Sequence, residues 1–324
     1  MRDILTIKHY CYLLLPEFSN LCLFNSIEPL RAANSFIDGP GYKWSLISMD
    51  GEPVTSSSGF EMRVNSSIEQ MIASENKPDV LIVMASYNYQ RHSTDTVIDK
   101  LRLLKNQVKV LGGLDAGSYA LAKAKLLNGY RATIHWAELD TFSEQFRQVD
   151  ACNNRYVIDR NRITSGGATT ALDLMLSIIS LDFGKEIAIA VSDLLIFDTE
   201  RSGSTPQREH VPAMIEKQTP RLARAIKLME RNIESPLTVA EIAEQTFVSQ
   251  RQLERDFKKV LGNSIAGYYS RLRIMLAQRL LTETALNITE VAIRSGYSSR
   301  ASFNRSYRRI LGRTPSDDRR SSTS

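Results

Sequence analysis

The stretch VKVLGGLDAGSYALAKAKLLNGYRATIHW, residues 108–136, has the pattern of a buried strand that breaks into a sharp turn and then a helix. In many α/β enzymes such a turn presents a nucleophile. Here the turn carries Asp115. A carboxylate attacks an amide or aldehyde far less readily than a thiolate does, and none of the cysteines, Cys11, Cys22 and Cys152, stands at this place. Two carboxylates in one small cleft repel, so one keeps a proton unless a cation lies between them. Trp136 beside the turn, with Tyr87 and Tyr89 after the apolar run PDVLIVMAS (78–86), supplies aromatic faces for a quaternary ammonium or guanidinium group. Plainer roles stand beside these: Asp115 as a helix cap, Glu28 as the partner of Arg31 on its own helix face, Trp136 as core or dimer contact, His135 as a structural histidine, and Tyr87 and Tyr89 as loop surface.

A second group of chemically active residues lies near the other end of the chain. In 235–262, Thr238 and Glu241 form a capping box ahead of an apolar stripe, and a turn at 246–248 follows. Ser249 then caps a helix that keeps Leu253 and Phe257 inside. Its exposed face offers Gln250, Arg251, Gln252, Glu254, Arg255, Lys258 and Lys259. In 285–312 the pattern recurs, with Gly296 in the turn, Ser299 as cap, and Phe303 and Tyr307 inside. Arg300, Asn304, Arg305, Arg308 and Arg309 face outward. Each unit is a support helix, a tight turn and a second helix with a basic face, and a long helix from about 264 to 284 joins them. Such second helices enter the major groove of DNA, where arginine reads guanine and asparagine reads adenine, while other basic residues hold phosphates.

The elements that carry these groups divide the chain. Strands at 8–15, 44–49, 78–86, 108–113 and 155–159 alternate with helices at 20–34, 94–104, 118–126 and 169–184, which predicts a mostly parallel sheet covered on both faces. The polar segment 198–218 reads as a linker, or a linker with an ordered arm. All-helical sequence fills 219–317, and 318–324 reads as a disordered tail. Charge divides likewise. Residues 216–324 hold 20 Lys and Arg against 11 Asp and Glu, a net of +9, while the rest of the chain nets −4. This fits a nucleic-acid-binding domain beside a neutral-to-acidic one. The cysteines show neither a disulfide framework nor metal spacing, and no apolar run is long enough for a membrane span, so cytoplasmic residence without metal or cofactor is expected.

The last hundred residues resemble the DNA-binding domain of the AraC-type transcription regulators. LTVAEIAEQTFVSQRQLERDFKKVLGNS, RLRIMLAQRLLTET and ITEVAIRSGYSSRASFNRSYRRILGRTP carry the resemblance. It implies base-facing positions at Arg251, Glu254 and Arg255 in the first unit, and at Arg300, Ala301 and Asn304 in the second. Ala266 and Asp318 depart from the family's usual proline and tyrosine. Domain 1–197 resembles the PfpI-like branch of the glutamine-amidotransferase-type α/β fold through SIEPLRAAN, VLGGLDAG, LAKAKLLNGYRATIHW and ITSGGATTALDLMLSII. The combination resembles the GlxA-like regulators. The fold implied is a flavodoxin-like α/β sandwich followed by an all-α domain with two helix-turn-helix units. The enzyme-like relatives' cysteine, histidine and first-helix glutamate correspond to Asp115, His135 and Glu28.

The resembling subgroup with Asp at the elbow includes regulators of arginine, carnitine, choline and glycine betaine metabolism. The expectation is a homodimeric activator acting with RNA polymerase on double-stranded DNA. Its effector is a small amine, betaine or basic amino acid, bound by Glu28, Arg31, Tyr87, Asp115, His135 and Trp136, with Arg31 or His135 holding a ligand carboxylate. The alternatives are a constitutive DNA-binding regulator whose first domain only dimerises, and an amidase-like enzyme with a DNA-binding domain.

Overall fold

Apolar residues along the central strands point alternately to two faces, and each face is buried under helices. This is seen in a computed structural model describing residues 7–39, 41–197, 202–207, 215, 219–283 and 286–321. The chain divides into two units, Met1–Arg208 and Glu209–Ser324.

In the first unit, strand β1 (Lys8–Leu14) is followed by helix α1 (Asn20–Ala33) and strand β2 (Tyr42–Ser48). Strands β3 (Val54–Thr55) and β4 (Glu61–Met62) form a small antiparallel ribbon, and β5 (Ser66–Ser67) leads into α2 (Ile68–Ala73). Then come β6 (Val80–Ala85), α3 (Tyr89–His92), α4 (Asp95–Leu104), β7 (Val110–Asp115) and α5 (Gly117–Lys123). Strand β8 (Arg131–Ala132), helix α6 (Leu139–Gln145) and strand β9 (Asp150–Ala151) precede the hairpin β10 (Tyr156–Asp159) and β11 (Arg162–Ser165). Helices α7 (Thr170–Phe183) and α8 (Lys185–Leu194) complete the unit.

The main sheet has the order β10-β11-β7-β6-β1-β2-β5 and is parallel except for the β10–β11 pair. Cys11 and Leu13 of β1 and Leu81 and Val83 of β6 pack with α4 and α5 on one face. Tyr10, Tyr12 and Leu14, with Val80, Ile82 and Met84, pack with α1 and α7 on the other. Burial on both sides accounts for the unbroken apolar run at β6. The expected sandwich and its strand–helix order are present. Strand β7 runs on to Asp115, two residues past the expected end, and β11 is an addition.

In the second unit, helix Pro220–Arg231 precedes the support helix Val239–Gln245 and the first recognition helix, Gln250–Leu261. The long helix Ile265–Glu283 leads to the second support helix, Ile288–Arg294, and the second recognition helix, Arg300–Leu311. Each helix-turn-helix unit has its own core. Leu222, Ile226, Ile242, Leu253 and Phe257 pack with Ile265 and Tyr269 of the long helix. Ile274, Ala277 and Leu281 of the same helix pack with Val291, Phe303 and Tyr307. The capping box at Thr238 and Glu241 and the caps at Ser249 and Ser299 are all formed. The second support helix gains a capping box from Asn287 and Glu290.

Of the segment 198–218 read as a linker, residues 198–201, 208–214 and 216–218 lie outside the described residues, while 202–207 pack on the first unit. The tail expected to be disordered from 318 is instead helical across Pro315–Ser321, and 322–324 lie outside the described residues. Thr314 and Asp317 cap this helix reciprocally, with bonds of 2.8 Å and 3.3 Å. Buried Asp318 accepts from Tyr307 Oη at 2.5 Å and pairs with Arg313 at 2.7 Å. Its polar composition hid a helix held by side-chain bonds rather than by an apolar stripe.

Candidate functional site

The elbow follows from close backbone packing. Asp115 closes β7 with φ +60°, in the left-handed region that costs a non-glycine residue roughly 1 kcal/mol. The chain tolerates this because its neighbours are small. A Cβ on Gly117 would lie 2.0 Å from the Val83 carbonyl oxygen, and one on Gly167 would lie 2.7 Å from the Asp115 side chain. Strand ends β6, β7 and β11 therefore converge at Asp115, at the carboxyl edge of the sheet, where open α/β sheets bind ligands.

Asp115 is buried. Burial, then the charge of Glu138, pushes its carboxyl up to about 7, against a bond from Ser86 that favours ionisation. Helix α5 is entered through Ala116 with no side-chain cap, so Asp115 does not serve as its cap. His135 N–H donates to the Asp115 carbonyl at 3.2 Å, Ala137 N–H to His135 Nδ1 at 3.4 Å, and Glu138 N–H to the His135 carbonyl at 2.9 Å. The rings of His135 and Trp136 lie 5.4 Å apart, and Trp136 is 36% exposed. These bonds bring Asp115, His135 and Trp136 together.

Glu28 and Arg31 are not part of this arrangement. They pair with each other at 2.6 Å on the outer side of α1, both half-exposed, because the helix turns Cys22, Leu23, Ser26, Ile27 and Leu30 inward. The group of α1 that meets the elbow is the Cys22 thiol. Burial and the nearby Asp115 charge hold it well above its ordinary value, so it is no thiolate nucleophile. The second carboxylate is that of Glu138, which accepts from Tyr89 Oη at 2.5 Å. Tyr89 is buried edge-on against Tyr119, with ring centroids 4.9 Å apart, and its phenol is raised by burial and by Glu138. Tyr87 is 56% exposed, and its N–H donates to the Glu17 carbonyl at 3.4 Å.

Sequence reasoning missed Ser86, Glu138 and Gln207. Ser86 ends a recognised strand, but Glu138 reads as an ordinary helix-start carboxylate. Gln207 stands in a segment with no periodicity. Among the described residues no group of three or more His, Cys, Asp or Glu side chains is placed to hold a metal.

The second unit presents a different surface. Gln250, Arg251, Glu254, Arg255 and Lys258 are exposed on the first recognition helix, and Arg300, Ala301, Asn304, Arg305 and Arg308 on the second. Burial of Leu253, Phe257, Phe303 and Tyr307 fixes which faces turn out. Arg251, Glu254, Arg255, Lys258 and Lys259 line one shallow depression. Glu254 also has a structural duty, accepting from Ile265 N–H at 3.3 Å at the start of the long helix.

The two turns correspond. Thr246 Oγ1 donates to the Ile242 carbonyl and Ser295 Oγ to the Val291 carbonyl, each at 2.7 Å. Phe247 and Gly296 then take the left-handed position, with φ +58° and +75°.

Comparison with known proteins agrees with both halves. The DJ-1/PfpI family matches residues 13–181, and a helix-turn-helix domain family matches residues 242–321. The chain is 37% identical to the HTH-type transcriptional regulator CdhR of Pseudomonas aeruginosa, over 96% of this chain and 91% of that one. It is 30% identical to the HTH-type transcriptional regulator GlxA of Rhizobium meliloti, over 99% and 98%. A THiJ/PfpI family protein from Pseudomonas syringae shares the fold, with a TM-score of 0.53 at 20% identity, over 75% of this chain and 90% of that one.

Proposed function

Because this chain belongs to the GlxA-type transcriptional regulators, which join a DJ-1/PfpI-like domain to an AraC-type helix-turn-helix domain, we propose that its elbow senses a small cationic or zwitterionic nitrogen compound. The first domain is non-catalytic, with a carboxyl where a thiolate nucleophile would stand, and the second binds DNA. One observation carries the ligand class. Asp115 is buried under the influence of a second carboxylate, Glu138, at the ligand-binding edge of the sheet. A cation entering there offsets their repulsion and replaces the proton on Asp115. An amine, a betaine or the guanidinium of a basic amino acid meets that requirement. In this reading Trp136, 36% exposed, supplies the aromatic ring for a cation–π contact, and His135 takes a ligand carboxylate.

The protein acts in this reading as a homodimeric activator in contact with RNA polymerase. Leu21 and Phe24 of α1, Leu181 of α7 and Ile189 of α8 are exposed apolar residues on three helices that pack together, and a second copy would cover them. Transcription in vitro from a duplex selected by the protein tests the reading. One compound among basic amino acids, betaines and simple amines should raise transcription. Equal transcription with and without every one of them would sink it.

A further inference from the structure

The short arm 202–207 is fastened to the first unit more firmly than its composition suggests. Arg155 N–H donates to the Gly203 and Thr205 carbonyls at 3.1 and 3.0 Å. Pro206 bridges to Asn154, and Gln207 N–H donates to the Asn153 carbonyl at 3.2 Å. The Gln207 side chain goes further in. Its Nε2 donates to Thr133 Oγ1 and the Ile134 carbonyl, both at 2.7 Å, and to the Asn154 carbonyl at 3.0 Å. Its Oε1 accepts from Trp136 N–H at 2.8 Å. On the other side it lies over Gly166, where a Cβ would come within 2.0 Å of the same oxygen.

These contacts stand one residue away from both flanks of Asp115. Trp136 follows His135, whose N–H holds the Asp115 carbonyl, and Gly166 precedes Gly167, which packs on the Asp115 side chain. One residue after Gln207 the first unit ends, and the DNA-binding unit begins at Glu209. A group that settles at the elbow and shifts 135–136 or 166–167 therefore has to keep or break the Gln207 bonds. We propose that Gln207 is the positioning residue that ties the arm to the elbow, so that the state of the elbow and the state of the DNA-binding unit depend on each other. This rests on the sensing role above and names the route by which it regulates. A small residue at 166 and an amide at 207 have a common explanation here: an alanine at 166 would displace the amide, and a shorter side chain at 207 would not reach Trp136.

Coupling between two sites is reciprocal, so DNA must act on the elbow just as a ligand acts on DNA binding. That allows a test without any effector. The chain has two tryptophans, Trp44 and Trp136. In a Trp44→Phe background, Trp136 reports alone from beside Gln207. A mixed-sequence DNA duplex is titrated at low salt while Trp136 emission and the anisotropy of the labelled duplex are both recorded. Emission should change along the binding curve. In Gln207→Ala, and in the size-matched Gln207→Met, that change should vanish while duplex affinity moves by less than about twofold. Duplex binding with unchanged Trp136 emission overturns the coupling, as does an emission change that survives in a folded Gln207 variant. Failure of the sensing role is a separate result, read as the absence of stabilisation by any nitrogen compound.

Discussion

Asp115 carries a cost that can be measured. Its native carboxyl is raised from an unfolded value of 3.8 to about 7. Below about pH 4 the group is neutral in both states. Between about pH 4 and 7 the unfolded chain loses the proton and the native one keeps it, so this residue's contribution to stability falls as pH rises and stays low above pH 7. Asp115→Asn removes the effect. Urea unfolding should show the variant gaining on the parent by up to about 4 kcal/mol as pH goes from 4 to 8. A stability difference independent of pH would show that Asp115 titrates normally. On the DNA side, Arg300→Ala should weaken binding to a selected duplex by about 1–3 kcal/mol and relax its sequence preference, whereas Lys258→Ala should weaken all duplexes alike and reduce the salt slope by about one. Gel shifts across a salt series separate the two. At this scale the strand–turn–helix pattern pointed to Asp115, while His135 came from the resemblance to the PfpI-like fold and Trp136 from its place beside it in the chain. The sequence could not locate Glu138 or Gln207, whose roles come from contacts with Tyr89 and with the 133–136 segment. For Glu28 the plainer of its two sequence readings is the one seen, a pair with its i, i+3 neighbour Arg31.

The two helix-turn-helix elements show the same turn solved at different cost. Phe247 holds a left-handed backbone with its ring 88% exposed, where Gly296 holds it freely. Phe247→Gly should therefore stabilise the DNA-binding unit by about 0.5–1 kcal/mol, the relief of strain being partly offset by the greater freedom of the unfolded chain. Calorimetry reads the gain, and a lower melting temperature would mean the ring contributes packing. Gly296→Ala should do the reverse and by more, since its Cβ would fall 2.2 Å from the Ile233 carbonyl oxygen. Periodicity made the recognition helices legible because Leu253, Phe257, Phe303 and Tyr307 repeat on one face. It concealed Pro315–Ser321 and β11. The first is held by capping and by Asp318, and the second is a short, polar-looking segment buried between β7 and β10, whose place comes from pairing with both.

For the whole molecule, the division of charge matches the division of labour. The net +9 of residues 216–324 suits a polyanion such as DNA, and the mildly acidic remainder suits the cationic effector proposed above. Composition and order of elements revealed both domains, since each has a core built from local repeats. They could not reveal that 202–207 returns to the first unit, because that depends on Arg155, Asn154 and Thr133 meeting a segment with no pattern of its own. If the elbow is a sensor and not a relic or a mere scaffold, its ligand must stabilise the folded protein. Thermal melting of the parent protein and of Asp115→Ala against a panel of basic amino acids, betaines and simple amines, each at about millimolar concentration, tests it most directly, because a compound that binds only the folded state raises stability by mass action. A clear rise with one chemical class is expected in the parent and none in folded Asp115→Ala. A rise that persists undiminished in the variant, or no rise with any compound in a protein that still binds DNA, would contradict the sensing role.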